Sequence, residues 1–196
     1  MDYQRMMEEA LESLGDRRPR LLLHACCAPC LSAPLELLSL RFELTVFYYN
    51  PNIMPREEYE KRLGEFEKLR RWPFRLEAEE WDNDAFLAAV RGHEGDREGG
   101  DRCGLCFRLR LGKTAEKARA ERYDYFATTL TVSPHKNAVL LNTIGEELSR
   151  TWGVPWLYSD FKKREGYKRS IQLCRELGIY RQTYCGCRFE QKEREI

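Results

Sequence analysis

The sequence predicts an α/β protein built on a doubly wound, mainly parallel sheet. Short apolar runs alternate with amphipathic stretches, those stretches are long enough to be helical crossovers, and the unusual residues fall just after the apolar runs. A chain of 196 residues suits one domain with a real core, and no repeat, low-complexity tract or linker divides 1–196.

Taken in order, residues 4–14 carry Met6, Met7, Ala10, Leu11 and Leu14 at helical spacing, with Gly15 closing the helix. A buried strand follows over 20–25, where Leu21, Leu22 and Leu23 leave no polar face. Residues 31–40 read as a helix and 42–49 as a second strand. The charged stretch 56–71 turns Tyr59, Leu63, Phe66 and Leu69 inward as a helix until Pro73 breaks it. A weaker strand at 74–77, a short helix at 83–90 and a Gly-rich charged loop at 91–102 come next. Residues 105–122 are expected as a helix, 125–129 as a strand, 136–150 as a helix and 156–158 as a last strand.

Composition removes several classes. With 42% hydrophobic and 33% charged residues the chain has enough apolar surface to fold, which excludes disorder and collagen-like structure. Its longest apolar runs fall far short of the roughly 20 residues a membrane-spanning helix needs. The acidic start, Met1 to Glu9, lacks the basic and apolar parts of a signal peptide, so a cytoplasmic location is expected. Abundant Lys, Arg and Glu with few Asn and Gln fit a heat-adapted source. The net charge of +1 is nearly neutral, yet basic residues outnumber acidic ones over 161–196, a segment suited to an anionic partner. Neither a Walker A loop nor G-x-G-x-x-G occurs, and the first strand-to-helix turn holds cysteines where a phosphate cradle needs glycines, so no ATP or NAD site is expected.

The cysteines carry the chemistry. Eight are too sparse for a disulfide-stapled secreted scaffold, and in a reducing compartment such residues bind metals or exchange electrons. Cys27 and Cys30 form one C-x2-C, Cys103 and Cys106 a second, and Cys185-Gly186-Cys187 a C-x-C. Two intervening residues let both sulfurs face one metal. A structural zinc ribbon would explain one such pair of pairs, but seven clustered cysteines exceed the four thiolates that one zinc accepts. An iron-sulfur cluster or mixed centre, zinc alone, and thiol-disulfide chemistry all stay open.

Neighbouring side chains in an extended segment point apart, so Cys26 and Cys27 are expected to serve different centres. A cluster held by some of Cys27, Cys30, Cys103 and Cys106 would stand beside a second site using Cys26 or the pair Cys185 and Cys187. Tyr184 and Phe189 flank that pair and could anchor it. Cys174 shares a helical face with Ile171 and Leu177 and reads as a buried structural cysteine.

Other candidates are weaker. Ser133-Pro134-His135-Lys136-Asn137 reads as a capping Ser, a Pro at the first helical position, and His and Lys in the first turn, a place for an anion or an ordinary cap. His24 ends a core strand as a satisfied core histidine, an acid or a ligand. His93, in the charged loop, reads as a bystander. Asp160 follows a predicted strand as a metal ligand, a proton donor or a cap. Arg164, Lys168, Arg169, Arg175, Arg181 and Arg188 interleave with Tyr167, Tyr180 and Tyr184, a mixture suited to phosphate contact and base stacking or simply to a solvated face.

Six ordered motifs now give a family resemblance: Leu23-His24-Ala25-Cys26-Cys27-Ala28-Pro29-Cys30, Tyr49-Asn50-Pro51-Asn52-Ile53, Arg102-Cys103-Gly104-Leu105-Cys106-Phe107, Ser133-Pro134-His135-Lys136-Asn137, Asp160-Phe161-Lys162-Lys163 and Tyr180-Arg181-Gln182-Thr183-Tyr184-Cys185-Gly186-Cys187. Over nearly its whole length the sequence resembles the QueH-type epoxyqueuosine reductases, with no departure at the seven motif cysteines. The resemblance implies reduction of epoxyqueuosine, at the wobble position of a tRNA anticodon loop, to queuosine. It implies a 4Fe-4S cluster with a neighbouring metal ion, iron or zinc, in an HUP-like domain whose cysteine-rich site lies at the C-terminal strand edge. Candidate ligands are then Cys26, Cys27, Cys30, Cys103, Cys106, Cys185, Cys187 and Asp160. An open metal position would take the epoxide oxygen while His135, His24 or Asp160 manages the proton. The sequence names no electron donor. A zinc-stabilised RNA-binding module, a dithiol oxidoreductase working through Cys185 and Cys187, and an electron-transfer iron-sulfur protein are the alternatives.

Overall fold

The run Leu21-Leu22-Leu23 becomes an inner strand. In a computed structural model, which describes residues 1–189, four strands pair in the order β3-β2-β1-β4. They are β1 (Arg20–His24), β2 (Glu43–Tyr48), β3 (Arg75–Ala78) and β4 (Tyr125–Thr128). Every pairing is parallel, with Leu22 opposite Thr45 on one side and Phe126 on the other. The end of the basic segment expected over 161–196 lies outside the described residues.

Helices cover both faces, which is why β1 has no polar side. Leu21 and Leu23 join Met7 and Leu11 of α1 (Tyr3–Ser13), Leu31, Leu35 and Leu38 of α2 (Ala28–Arg41) and Cys174 of α7 (Gly166–Glu176). Leu22 packs into the opposite cluster with Phe107 and Leu111 of α5 (Asp101–Ala120) and Leu141 and Ile144 of α6 (Ala138–Trp152). Each of these fully buried leucines contributes roughly 1.5–3 kcal/mol through loss of contact with water. Among the described residues, no helix is long and apolar enough to cross a membrane.

Several elements differ from expectation for local reasons. The helix expected over 56–71 is divided into α3 (Arg56–Gly64) and a 3-10 turn, Glu65–Leu69, with the poor helix former Gly64 at the junction. The short helix expected at 83–90 forms as α4 (Asn83–Ala89). Helix α5 starts at Asp101 and not at 105, so Cys103, expected ahead of the helix, lies with Cys106 in its first turns. Asn137, not Ser133, caps α6: its Oδ1 accepts from the Leu140 N–H at 3.1 Å, while Ser133 Oγ accepts from the His135 N–H at 3.3 Å and makes a separate turn. The last strand expected at 156–158 shrinks to a single bridge between Phe126 and Trp156, because Pro155 has no N–H with which to extend a ladder. Trp156 lies against bare Gly145, where a Cβ would come within 2.2 Å of its ring.

Candidate metal centre

The first strand-to-helix turn assembles three thiols. β1 ends at His24, the chain bends at Cys26, and Cys27 is the extended residue preceding α2, with Pro29 in that helix's first turn. The sulfurs of Cys26, Cys27 and Cys30 all lie within 4.8 Å of one another, with 3.6 Å between those of Cys26 and Cys27. The expectation that the Cys26 and Cys27 side chains point apart is therefore overturned. Alternation governs a continuous strand, and here the strand has already ended and the chain has bent.

Burial makes this trio a poor home for three separate charges. Cys26 and Cys30 bond to the Cys27 sulfur and hold its pKa well below the usual thiol range; the same contacts push Cys26 up to about 11 and raise Cys30. Gln182 Nε2 also donates to Cys27 Sγ, at 2.9 Å. A soft cation at the trio resolves the conflict by neutralising the thiolates, so these residues can bind a metal.

A second group is drawn from distant parts of the chain. Cys103 and Cys106 of α5 face Cys185 and Cys187 across a narrow apolar cavity that also meets Phe86 and Phe107. Among the described residues these four sulfurs are less tightly gathered than the first trio. Burial raises the Cys103 thiol and pushes Cys106 up to about 11.

Arg62 brings the terminal pair to α5. Only 2% exposed, it pairs with Glu58 at 2.7 Å and donates from its two terminal nitrogens to the Cys185 carbonyl at 2.9 Å and the Tyr184 carbonyl at 3.3 Å. Gly186 adopts φ +109°, and a Cβ there would come within 3.0 Å of Ile53 and 3.2 Å of Arg62, so the segment passes close to α3 only because this residue is glycine.

Both cysteine groups border one cavity of about 380 Å³. Cys26, Cys30 and Cys185 line it together with the cations Arg62, Arg110, Lys136 and Arg181 and the rings of Tyr167 and Tyr184. Lys136 donates to Cys185 Sγ at 3.2 Å and to Glu98 at 3.1 Å. Burial works against its ammonium, but Cys185 and Glu98 outweigh it and hold the pKa above the usual lysine range.

The remaining candidates divide. His135 is exposed on a turn at the cavity wall. His24 is fully buried, with Nδ1 2.9 Å from the Thr128 hydroxyl and Nε2 3.2 Å from the Tyr49 carbonyl. Burial, aided by the Arg110 charge, pushes its pKa down to about 3, which favours the neutral ring that those two contacts satisfy. Asp160 pairs with Lys162 at 2.6 Å and lines a separate depression with Tyr3, Gln4 and Arg164, so the structure does not bring it to the cysteines as a ligand or to the cavity as a proton donor. His93 pairs with Asp96 in its loop. Cys174 is buried in the core, as its helical position predicts.

The basic, aromatic segment is partly neutralised: Arg164 pairs with Glu8, Lys168 with Glu165 and Arg169 with Glu36. Arg181 instead lies over the Tyr167 ring at 5.3 Å beside the cavity. Sequence reasoning missed Arg62, Arg110 and Gln182. The first two left a signal: each is a cation on a helical stripe that is otherwise apolar, among Tyr59, Leu63 and Phe66 or among Phe107, Leu111 and Ala115.

The fold and site together define an α/β protein with a thiol cluster able to bind a metal beside a cation-lined cavity. The family model for epoxyqueuosine reductase QueH matches residues 21–193. The chain belongs to that family, a family of oxidoreductases. It is 41% identical to epoxyqueuosine reductase QueH of Streptococcus pyogenes over 100% of this chain and 80% of that one. It is 38% identical to the Staphylococcus epidermidis protein of the same name, covering 91% and 79% of the two chains, and 36% identical to that of Thermotoga maritima, covering 89% and 91%.

Proposed function

We propose that this protein reduces epoxyqueuosine, in the wobble nucleoside of a tRNA anticodon loop, to queuosine. The observation that carries the reading is the meeting of two cysteine groups at one cavity lined by cations and aromatic rings. The whole chain, 1–196, works as one metal-binding domain in the cytoplasm. The sheet is HUP-like, and the site lies at its C-terminal edge, at the switch point where β1 is flanked by β2 and β4.

The donor sets fit a 4Fe-4S cluster with a neighbouring metal ion, iron or zinc. Cys26, Cys27 and Cys30 would hold one centre, and Cys103, Cys106, Cys185 and Cys187 the other. Orphaned buried polar atoms border both places: Arg110 Nε and Gln182 Oε1 belong to residues lining the larger cavity, and Asn52 Oδ1 to a residue lining the narrow one. Once bound, such a group supplies electrons and Lewis acidity.

The protein's own residues supply the rest. Converting an epoxide to an alkene consumes two electrons and two protons and releases water. His135, exposed at the cavity wall, delivers a proton to the departing oxygen. Tyr167 and Tyr184 receive the flat face of an extruded nucleoside, and Arg181 and Lys136 meet its oxygens.

The test is metal and sulfide analysis of protein purified without oxygen, followed by incubation with epoxyqueuosine-containing tRNA and a chemical reductant. About four irons and four sulfides with further metal, and appearance of queuosine by mass spectrometry, are expected. Zinc alone, without sulfide after anaerobic reconstitution, would replace this reading with a zinc-stabilised RNA-binding module.

A further inference from the structure

Three arginines, Arg62, Arg102 and Arg110, are buried among the described residues, and only Arg62 forms a side-chain ion pair, with Glu58. Arg102 donates from Nη1 to the Glu94 carbonyl at 2.9 Å, and its backbone N–H reaches the Asp96 carboxylate at 3.0 Å. Arg110 is 1% exposed on α5, and among the described residues no carboxylate lies within ion-pair distance of it. Its Nη2 donates to Asn50 Oδ1 at 2.5 Å, its Nη1 lies 3.9 Å from Cys106 Sγ, and its Nε has no partner. Asn50 in turn donates to the Ala25 carbonyl at 2.9 Å, immediately before Cys26. The guanidinium is thus locked between the turn bearing Cys26, Cys27 and Cys30 and the helix bearing Cys103 and Cys106.

A guanidinium does not shed its proton in a protein interior, and burying it without negative charge nearby is strongly unfavourable. Such a residue is tolerated only if something around it is anionic. Glu98, the one carboxylate among the residues lining the same cavity, is taken by Lys136, and the anionic candidate in contact with the guanidinium is the Cys106 sulfur, with Cys26 and Cys185 lining the cavity beside it.

We propose that Arg110 is the counter-charge shared by the two cysteine groups, and that it makes the metal centre they hold easier to reduce. It acts through the centre and touches no substrate, so it is a positioning residue. This inference rests on the reductase reading above. Net charge and hydrogen bonds to sulfur are among the main protein controls on the potential of an iron-sulfur centre. A fixed positive charge stabilises the reduced, more negative form.

The experiment is a potentiometric titration, followed by electron paramagnetic resonance, of anaerobically reconstituted wild-type protein, Arg110→Lys and Arg110→Met. Methionine is expected to shift the reduction equilibrium at least tenfold toward the oxidised form, about 59 mV for one electron, while lysine retains most of the wild-type value. Should methionine prevent loading, lysine is still expected to load. Equal potentials in all three proteins, equal shifts in both variants, or failure of both to load would overturn the assignment while leaving the reductase reading intact. Absence of any redox-active centre in the wild type would overturn both.

Discussion

The two cysteine groups are built in opposite ways. Cys26, Cys27 and Cys30 come from one turn of chain, fixed by the end of β1 and the start of α2, and their sulfurs already lie within 4.8 Å of one another. Cys103, Cys106, Cys185 and Cys187 come from α5 and the end of the described chain, held together by Arg62 across α3. A locally built site follows from folding of the sheet itself. A site assembled from distant segments needs its own clamp, and polar clamps are easier to open than apolar cores. The difference predicts that one group can be emptied without the other.

The largest effect is expected from the trio. Cys30→Ser removes one of three closely placed thiolates and should lower the affinity of that centre beyond the roughly 10–100-fold that loss of a supporting partner costs. Competition with a chelator measures it, and unchanged metal content would remove the trio from metal binding. A smaller, selective effect is expected at the clamp. Arg62→Met removes the hydrogen bonds to the Cys185 and Tyr184 carbonyls and leaves half-buried Glu58 with the Tyr180 hydroxyl alone, and should cost about 2–3 kcal/mol in denaturant unfolding. It should also make Cys185 and Cys187 react faster with a maleimide, read residue by residue by mass spectrometry, while Cys26, Cys27 and Cys30 react as in the wild type. Equal acceleration of both groups would show that they open as one unit.

The same division marks what the sequence made legible. The strands are read from runs such as Leu21-Leu22-Leu23, and the helices from spacings such as Met7, Leu11 and Leu14, because those patterns are short-range. The C-x2-C and C-x-C spacings point to metal chemistry for the same reason. What could not be read was partnership across the fold. Nothing local to Cys185 says that it meets Lys136 at 3.2 Å, and nothing local to Asp160 says that it turns away toward Tyr3 and Gln4. The pairing of Cys26 with Cys27 was misread because alternation was extended one bend too far past the strand. Arg62 and Arg110 were the recoverable omissions, since a cation on an apolar helical stripe must be paired, and the pattern shows it before the partner is known.

Cys174 sharpens the comparison from outside. It is buried in the cluster with Leu35 and Phe161, its backbone carbonyl accepts from the Ile179 N–H at 2.9 Å, and it lines neither cysteine cavity. Burial raises its thiol, so in the folded protein it stays protonated and behaves as a small apolar group. Cys174→Ala should therefore cost about 1 kcal/mol of stability, the loss of one small buried group, and leave metal content and reaction rate at their wild-type values. Loss of metal in this variant would mean that the boundary between structural and metal-binding cysteines has been drawn in the wrong place. Retention of metal with a fall in stability would show that the thiols near the cavity bind metal because of where the fold puts them, and not because cysteine is present.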